Sequence, residues 1–173
     1  MNVKSAIKLE WAGYYPGVIG KVTTLHAVYY FKNWNFDISF EAQVARELSA
    51  FFVNFRKKRD GFWTVRANGI FAGAVAVDGQ LADTEGARLR WFIVEPERQG
   101  LGIGKLLVEK AVTFCRKTGH RKLFLWTFQG LDPARKLYES EGFKLVEEHS
   151  VDQWGRKITE QKFELTATPK RGG

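Results

Sequence analysis

The sequence predicts an α/β protein with a mixed central sheet and flanking helices. Three observations carry that reading. Two amphipathic helical stretches come first and are followed by an Asn-Gly hairpin, Asn68-Gly69 between apolar runs. The segment from Arg88 to Phe128 then reads strand, glycine-rich turn, helix, strand, which is one right-handed parallel crossover. Two further strand patterns meet at Trp154-Gly155, and the sheet as a whole reads as mixed, antiparallel early and parallel in the middle.

Residues 1–16 read as an N-terminal extension with a short apolar stretch from Ile7 to Trp11, and Tyr15-Pro16-Gly17 as a turn. Val18, Val22, Leu25, Val28, Tyr29 and Phe31 give the first helix over Val18–Lys32. Asn33 to Asp37 interrupts it. Ser39 is placed as N-cap of a second helix, Phe40–Phe55, whose apolar face is Val44, Leu48, Phe51, Phe52 and Phe55. The run Arg56-Lys57-Lys58-Arg59 suits the negative end of that helix dipole, and Asp60-Gly61 makes the turn. Strands follow at Phe62–Ala67 and Ile70–Val77, a polar loop at Asp78–Gly86, and a strand at Arg88–Val94 closed by Pro96. Ile103, Leu106, Leu107, Ala111, Phe114 and Cys115 have helical spacing, and Gly119 stops that helix. Lys122–Phe128 is the next strand. Asp132 as N-cap and Pro133 at the first helical position open a short helix ended by Gly142. Phe143–Val151 and Arg156–Leu165 are the last strands, and residues 167–173 read as a flexible tail.

Composition narrows the classes. At 173 residues, the chain can build one sizeable core and is read as one main domain over residues 17–166. Apolar residues make up 45%, including 14 Phe and 6 Trp, which excludes a disordered chain. No apolar run approaches the ~20 residues of a membrane span, and Met1 to Lys8 holds no apolar leader core. The single cysteine, Cys115, forms no internal disulfide and falls on an apolar helical face, so it reads as a buried thiol and not a nucleophile. These features fit a cytoplasmic protein. The net charge of +8 is clumped at Arg56–Arg59, Arg116-Lys117, His120–Lys122 and Lys170-Arg171, and suits a polyanionic ligand. Nucleic acid is the less favoured polyanion, because no zinc-finger or RNA-binding aromatic motif accompanies the charge.

The turn Gln99-Gly100-Leu101-Gly102-Ile103-Gly104-Lys105 leaves backbone N–H groups free at a helix start, where the dipole favours negative charge. Glycines let a phosphate approach such a backbone closely. Two familiar phosphate motifs are excluded. Leu106 follows Lys105 where the Walker pattern needs a hydroxyl for magnesium, so no metal is expected. The Rossmann spacing of glycines is also broken, with Leu107 where its third glycine should stand. What the turn does match is Gln/Arg-x-x-Gly-x-Gly/Ala, from Gln99 to Gly104. This resembles the pyrophosphate-binding motif of the GNAT superfamily of N-acetyltransferases. A second segment, Ala134-Arg135-Lys136-Leu137-Tyr138-Glu139-Ser140-Glu141-Gly142-Phe143, resembles the Ala-x-x-Leu-Tyr-x-x-x-Gly-Phe stretch of the same superfamily. It follows the turn by one helix, one strand and one loop, the interval that fold requires. The resemblance spans roughly residues 20–166. The front, Leu25 to Tyr30, and the ending Trp154 to Leu165 are similar to GNAT domains found alone or fused to winged-helix regulators, and the short N-terminal extension suggests the stand-alone form.

The resemblance implies a GNAT fold whose parallel strand pair splays apart, and an N-acetyltransferase that uses acetyl-CoA as co-substrate and an amine acceptor as partner. Backbone groups near Ile93 and Val94 would hold the pantetheine arm. N–H groups from Gln99 through Gly100, Leu101, Gly102, Ile103, Gly104 and Lys105 would hold the pyrophosphate. Tyr138 matches the tyrosine that protonates the departing thiolate, and a phenol of pKa about 10 is a reachable donor to a thiolate of pKa about 8.5. Lys105, Arg135 and Lys136 are candidates for neutralising CoA phosphates or are solvated charges. The amine would attack the thioester directly, through a tetrahedral intermediate and without a covalent enzyme intermediate. Homodimerisation is left open.

Departures from the family pattern matter. Leu131 stands where many members carry a cofactor-contacting Asn. Trp126 and Arg88 stand near the positions where different branches carry a glutamate base. His26, Glu41 and His149 are candidate bases with none assigned. These gaps keep a non-enzymatic acyl-CoA sensor as the rival reading. Arg88 and Arg90 have the same parity on their strand. They would suit a substrate carboxylate or phosphate, or else pair with acidic residues on a neighbouring strand. Tyr29, Tyr30, Trp34 and Phe36 form either an acceptor wall or core.

Overall fold

A computed structural model describes residues 6–167. Residues 168–173 of the expected tail, the Lys170-Arg171 pair and the start of the N-terminal extension lie outside the described residues. Seven strands form one sheet: β1 Leu9–Ala12, β2 Gly61–Ala67, β3 Ile70–Asp78, β4 Ala87–Val94, β5 Lys122–Phe128, β6 Lys144–Gln153 and β7 Arg156–Thr166. Their order across the sheet is β1-β2-β3-β4-β5-β7-β6. Among the described residues only β4 and β5 pair in parallel. The four helices are α1 Val18–Trp34, α2 Ile38–Val53, α3 Ile103–Thr118 and α4 Asp132–Ser140.

The sheet separates two cores. On one face, Leu48 and Phe51 of α2 and Val22 of α1 pack with Phe62, Ala74, Trp91, Phe128 and Ile158. On the other, Ile103, Leu107, Ala111 and Cys115 of α3 and Tyr138 of α4 pack with Val65, Val75, Leu89, Leu125 and Phe163. β3 lies under both layers, so its residues Phe71 to Val77 are buried without alternation.

Several local expectations are corrected. Residues 9–12, read as part of an extension, are the edge strand β1. The tip of the β2–β3 hairpin holds it: Lys8 N–H donates to Asn68 Oδ1 at 2.9 Å, and Asn68 N–H donates to Lys8 O at 2.8 Å. Asn68 and Gly69 have φ of 52° and 79°, the left-handed pair expected of that turn. Asp37, not Ser39, caps α2, because its Oδ1 accepts the Ser39 N–H at 2.9 Å and α2 begins at Ile38. Asp132 is the first residue of α4, not its N-cap; it supplies negative charge in the first turn and makes no capping bond. Ala167, the first residue of the expected tail, is buried, and its N–H donates to Arg121 O at 2.9 Å.

Two irregularities in β4 shape the site. Its register with β5 is limited to Ala87 opposite Leu123 and Arg88 opposite Phe124, after which the parallel strands splay. On its other edge, Trp91 and Phe92 together oppose the single residue Val75. This is a β-bulge, and Trp91 takes φ 47°, a left-handed conformation rarely adopted by a bulky residue.

Candidate active site

The splay opens a cavity of about 670 Å³ that reaches from the glycine-rich turn past Tyr138 to Arg88 and Glu160. Beyond Arg88, the β5-facing edge of β4 has no strand partner. Ile93 and Val94 lie on this open stretch and line the cavity.

The turn is built for close approach. A single 3-10 turn, Pro96–Arg98, leads into Gly100 and Gly102, both at φ 78°, with open space where a Cβ would stand. The first intrahelical bond of α3 runs from Leu106 N–H to Gly102 O at 3.3 Å. The N–H groups of Ile103, Gly104 and Lys105 therefore precede it, and no side chain caps them. Gly104 differs from the other two glycines. A Cβ there would lie 3.3 Å from Phe92 Cζ and 3.4 Å from Leu137 Cδ2, so this glycine admits packing of β4 and α4 against α3. Gln99 lines the cavity and reaches Val94 O at 3.5 Å, while Leu101 is exposed. Lys105 pairs loosely with Glu109 at 3.8 Å, and Arg135 is occupied by Glu139 at 3.0 Å.

Tyr138 is 6% exposed and lines the cavity. Its ring lies 5.9 Å from Phe92, 5.9 Å from Phe143 and 6.3 Å from Phe163. Burial raises its pKa well above the ordinary phenol value, and the Tyr30 phenol pushes the same way. The phenol is therefore held protonated and is a weaker acid than in solvent, able to donate a hydrogen bond to negative charge developing beside it.

The bulge explains how the two faces of β4 are used. Ala87 and Leu89 point into the α3 core, while Trp91 points into the α2 core. Arg88 and Arg90 share the α2 side. Arg90 is saturated: it bonds Glu47 of α2, reaches Asp78 of β3 at 3.2 Å, and lies 4.2 Å over the Trp91 ring. The expectation of acidic partners is thus met at Arg90, one of them on the neighbouring strand. Arg88 has no such partner among the described residues, and its buried Nε makes no hydrogen bond. Burial, with Arg90 nearby, pushes its pKa down to about 10, which leaves it charged at neutral pH.

The three base candidates separate clearly. His26 lines the cavity but is buried, and burial pushes its pKa down to about 4. As a neutral ring it donates from Nδ1 to Val22 O at 2.8 Å. Glu41 is exposed in the first turn of α2 and does not line the cavity. His149 is half exposed on β6, where Nε2 meets Glu160 Oε2 at 3.1 Å and the ring lies 5.6 Å from Trp126. Glu160 itself escaped sequence reasoning. It lines the cavity, opposes Phe128 and His149 in the sheet, and accepts a hydrogen bond from Gln153 Nε2. Its only sequence signal was the parity it shares with Ile158 on β7.

Of the aromatic cluster, Tyr29 and Tyr30 line the cavity. Phe36 is core, stacked 5.7 Å behind Tyr30, and Trp34 backs Phe128 at 4.8 Å. The β6–β7 turn closes this end: Asp37 N–H donates to Trp154 O at 3.0 Å, and Trp154 Nε1 donates to Gln43 at 2.9 Å. Cys115 is buried in α3, away from the cavity lining, and burial pushes its thiol up to about 12.

A splayed parallel pair, an uncapped helix start behind glycines and a buried tyrosine at their junction define an acyl-CoA-type transferase fold. Residues 21–143 match the acetyltransferase (GNAT) family, and the chain belongs to it. An uncharacterised N-acetyltransferase of Methanocaldococcus jannaschii is 31% identical over 107 residues, 60% of this chain and 46% of that protein. N-acetylaspartate synthetase of Xenopus tropicalis is 33% identical over 105 residues, 59% of this chain and 38% of that protein. The matched region thus spans less than half the length of these curated relatives. Among solved structures, yncA from Salmonella typhimurium with its cofactor acetyl-CoA superposes at TM-score 0.73 and 12% identity, covering 96% of this chain and 98% of that one. Spermidine N-acetyltransferase from Vibrio cholerae, in complex with CoA and spermine, superposes at 0.70 and 18% identity, covering 92% and 95%. At these identities the structures are evidence of a shared fold.

Proposed function

We propose that this chain transfers the acetyl group of acetyl-CoA to a primary amine of a small molecule or peptide by direct attack. The observation that carries the reading is the convergence of three features on one cavity: the open edge of β4, the uncapped start of α3 behind Gly100 and Gly102, and the buried phenol of Tyr138. Acetyl-CoA, when bound, supplies a thioester carbonyl for the amine to attack. The N–H groups of Ile103, Gly104 and Lys105 fit its pyrophosphate, and the unpaired stretch at Ile93 and Val94 fits its pantetheine amides.

Tyr138 gives its phenolic proton to the departing sulfur, with Phe92, Phe143 and Phe163 fixing the ring. A protonated amine must lose a proton before it attacks. Glu160 is the carboxylate suited to receive it: the other cavity-lining carboxylate, Glu47, is held by Arg90. His149 contacts Glu160 and is itself half exposed, which gives the proton a way to solvent. The relatives' names, which are those of N-acetyltransferases, support an amine acceptor.

The test is calorimetry with CoA, together with release of free CoA thiol from acetyl-CoA in the presence of amines, amino acids and peptides. Turnover with any acceptor supports the proposal. CoA binding without turnover on a broad panel would instead identify an acyl-CoA-binding regulator, and absence of CoA binding would overturn both readings.

A further inference from the structure

We propose that Arg88 is a carboxylate anchor in the acceptor site, so that the acceptor is an amino acid rather than a simple amine; this rests on the acetyltransferase reading above.

The argument begins with an imbalance. Arg88 and Arg90 lie two residues apart on one side of β4, and both line the cavity. The carboxylates of Glu47 and Asp78 are spent on Arg90. Glu160 is near enough to favour the charged form of Arg88 but makes no ion pair with it; its own contacts are Gln153 and His149. Among the described residues Arg88 thus has no ion-pair partner, and its Nε is buried without a hydrogen-bond acceptor. Leaving a charged donor unsatisfied inside a protein is costly, and of the two arginines among the described residues with such an Nε, Arg88 and Arg116, only Arg88 lines the cavity, where an acceptor from outside can reach it.

The chemistry of that acceptor follows from the geometry. A guanidinium presents a planar fork that matches a carboxylate with two parallel N–H···O bonds. Glu47, Asp78 and Glu160 already bring negative charge to Arg88, so a monoanionic carboxylate fits there better than a phosphate dianion. Glu160, in the same cavity, offers the complementary negative charge for an ammonium group. Arg88 on β4 and Glu160 on β7, in one cavity with Tyr29, Tyr30 and Trp126, form a receptor for a zwitterion. Arg88 lies on the α2 side of β4, and Phe92, beyond the bulge and packed on Tyr138, on the α3 side; the cavity joins the two where β4 and β5 part. An amino acid lying in that passage sets its carboxylate at Arg88 and its amine toward Tyr138.

The experiment compares each of the common amino acids with its decarboxylated amine, for example phenylalanine with phenethylamine and lysine with cadaverine. Binding is measured by calorimetry on protein saturated with CoA, and turnover by thiol release from acetyl-CoA. At least one amino acid is expected to exceed its decarboxylated partner by about 10²-fold or more in affinity and in kcat/KM. R88Q should narrow that ratio by at least about 10-fold, and R88K, which keeps charge without the fork, should narrow it partly. CoA affinity reports the fold of each variant; if R88Q loses it, R88K decides. Equal preference for acids and amines in the wild type, no binding of any amino acid, or an unchanged ratio in a folded Arg88 variant would overturn the proposal. Arg88-dependent binding of an amino acid without thiol release would uphold the anchor while removing the transferase reading.

Discussion

Phe92 on β4 meets Tyr138 on α4 edge to face, with ring centroids 5.9 Å apart and planes at 62°. By simple alternation from Ala87 and Leu89, Phe92 would point to the opposite side of the sheet. The extra residue at Trp91 reverses the parity and brings Phe92 onto the face of α3 and α4. The bulge thus ties the open part of β4 to the proposed proton donor. Tyr138→Phe removes only a hydroxyl that makes no hydrogen bond with the described residues, so packing should survive. General acid catalysis is worth about 10²–10⁴-fold, so kcat should fall by at least ~10²-fold with CoA affinity and melting temperature nearly unchanged. Kinetics and melting on one preparation decide between this and a structural role. Full turnover in the variant would remove Tyr138 from the mechanism.

The glycines of the turn should respond differently to substitution. Gly102→Val places a β-branched residue at φ 78°, where left-handed backbone costs roughly 1–2 kcal/mol, and puts a side chain into the open space over the helix start. CoA affinity should drop by at least about 10-fold, with the core intact. Gly104→Val instead drives carbon into Phe92 and Leu137. Its main effect should be a lower melting temperature. Calorimetry and thermal unfolding on both variants would show whether the two effects separate in this way.

Glu160→Gln keeps the hydrogen-bonding shape but removes the charge. If Glu160 receives the amine proton, kcat should fall by about 10²-fold at neutral pH. The loss should shrink as pH rises toward the ordinary amine pKa of about 10, because the acceptor then arrives deprotonated. A variant with a wild-type rate and pH profile would exclude Glu160 as the proton acceptor.

How far the sequence could be read depends on the range of the interactions involved. The crossover from β4 through α3 to β5, the Asn68-Gly69 hairpin and the Trp154-Gly155 turn were legible because periodicity and turn chemistry are local. The glycine turn and Tyr138 sit in contiguous motifs, and the structure brings both to one cavity. β1 was missed because its four residues alternate weakly and its order comes from Asn68, far along the chain. The bulge was hidden because a tryptophan gives no sign of a positive φ. Glu160 became a site residue only through register, which sets it beside Phe128 on one strand and His149 on another. Arg88 and Arg90 look alike in sequence; only the placement of Glu47 and Asp78 makes one a structural ion pair and leaves the other available.

That contrast predicts opposite stability effects. Arg90→Met strands Glu47 and Asp78, and loss of charged hydrogen bonds in this partly buried site should cost about 1–3 kcal/mol. Arg88→Met breaks no internal bond and relieves a buried charge, so unfolding free energy should be unchanged or higher. Denaturant unfolding of both variants tests the pair. Equal destabilisation would mean that Arg88 has a structural partner after all.

His26 should give the fold a particular acid sensitivity. Burial holds its folded pKa near 4, below the ordinary 6.5, and the neutral ring donates to Val22 O. Between those two values the unfolded chain binds a proton that the folded chain does not, so stability rises with pH in that window. The contribution is present above about pH 6.5 and is lost as pH falls through about 4. The size of the shift corresponds to roughly 3 kcal/mol. Asp60 contributes lower down: burial raises its pKa, but hydrogen bonds from Arg59 and from the Arg56 and Gly79 N–H groups more than offset this and leave it below 3.8. Its stabilisation is therefore lost only as pH falls below that value. His26→Gln retains a donor for Val22 O without a titrating ring. Its unfolding free energy should be nearly flat from pH 6.5 to 5, where the wild type already declines. Parallel slopes for the two proteins across that interval would show that His26 titrates normally in the folded state, and that the cavity around it is wetter than its burial implies.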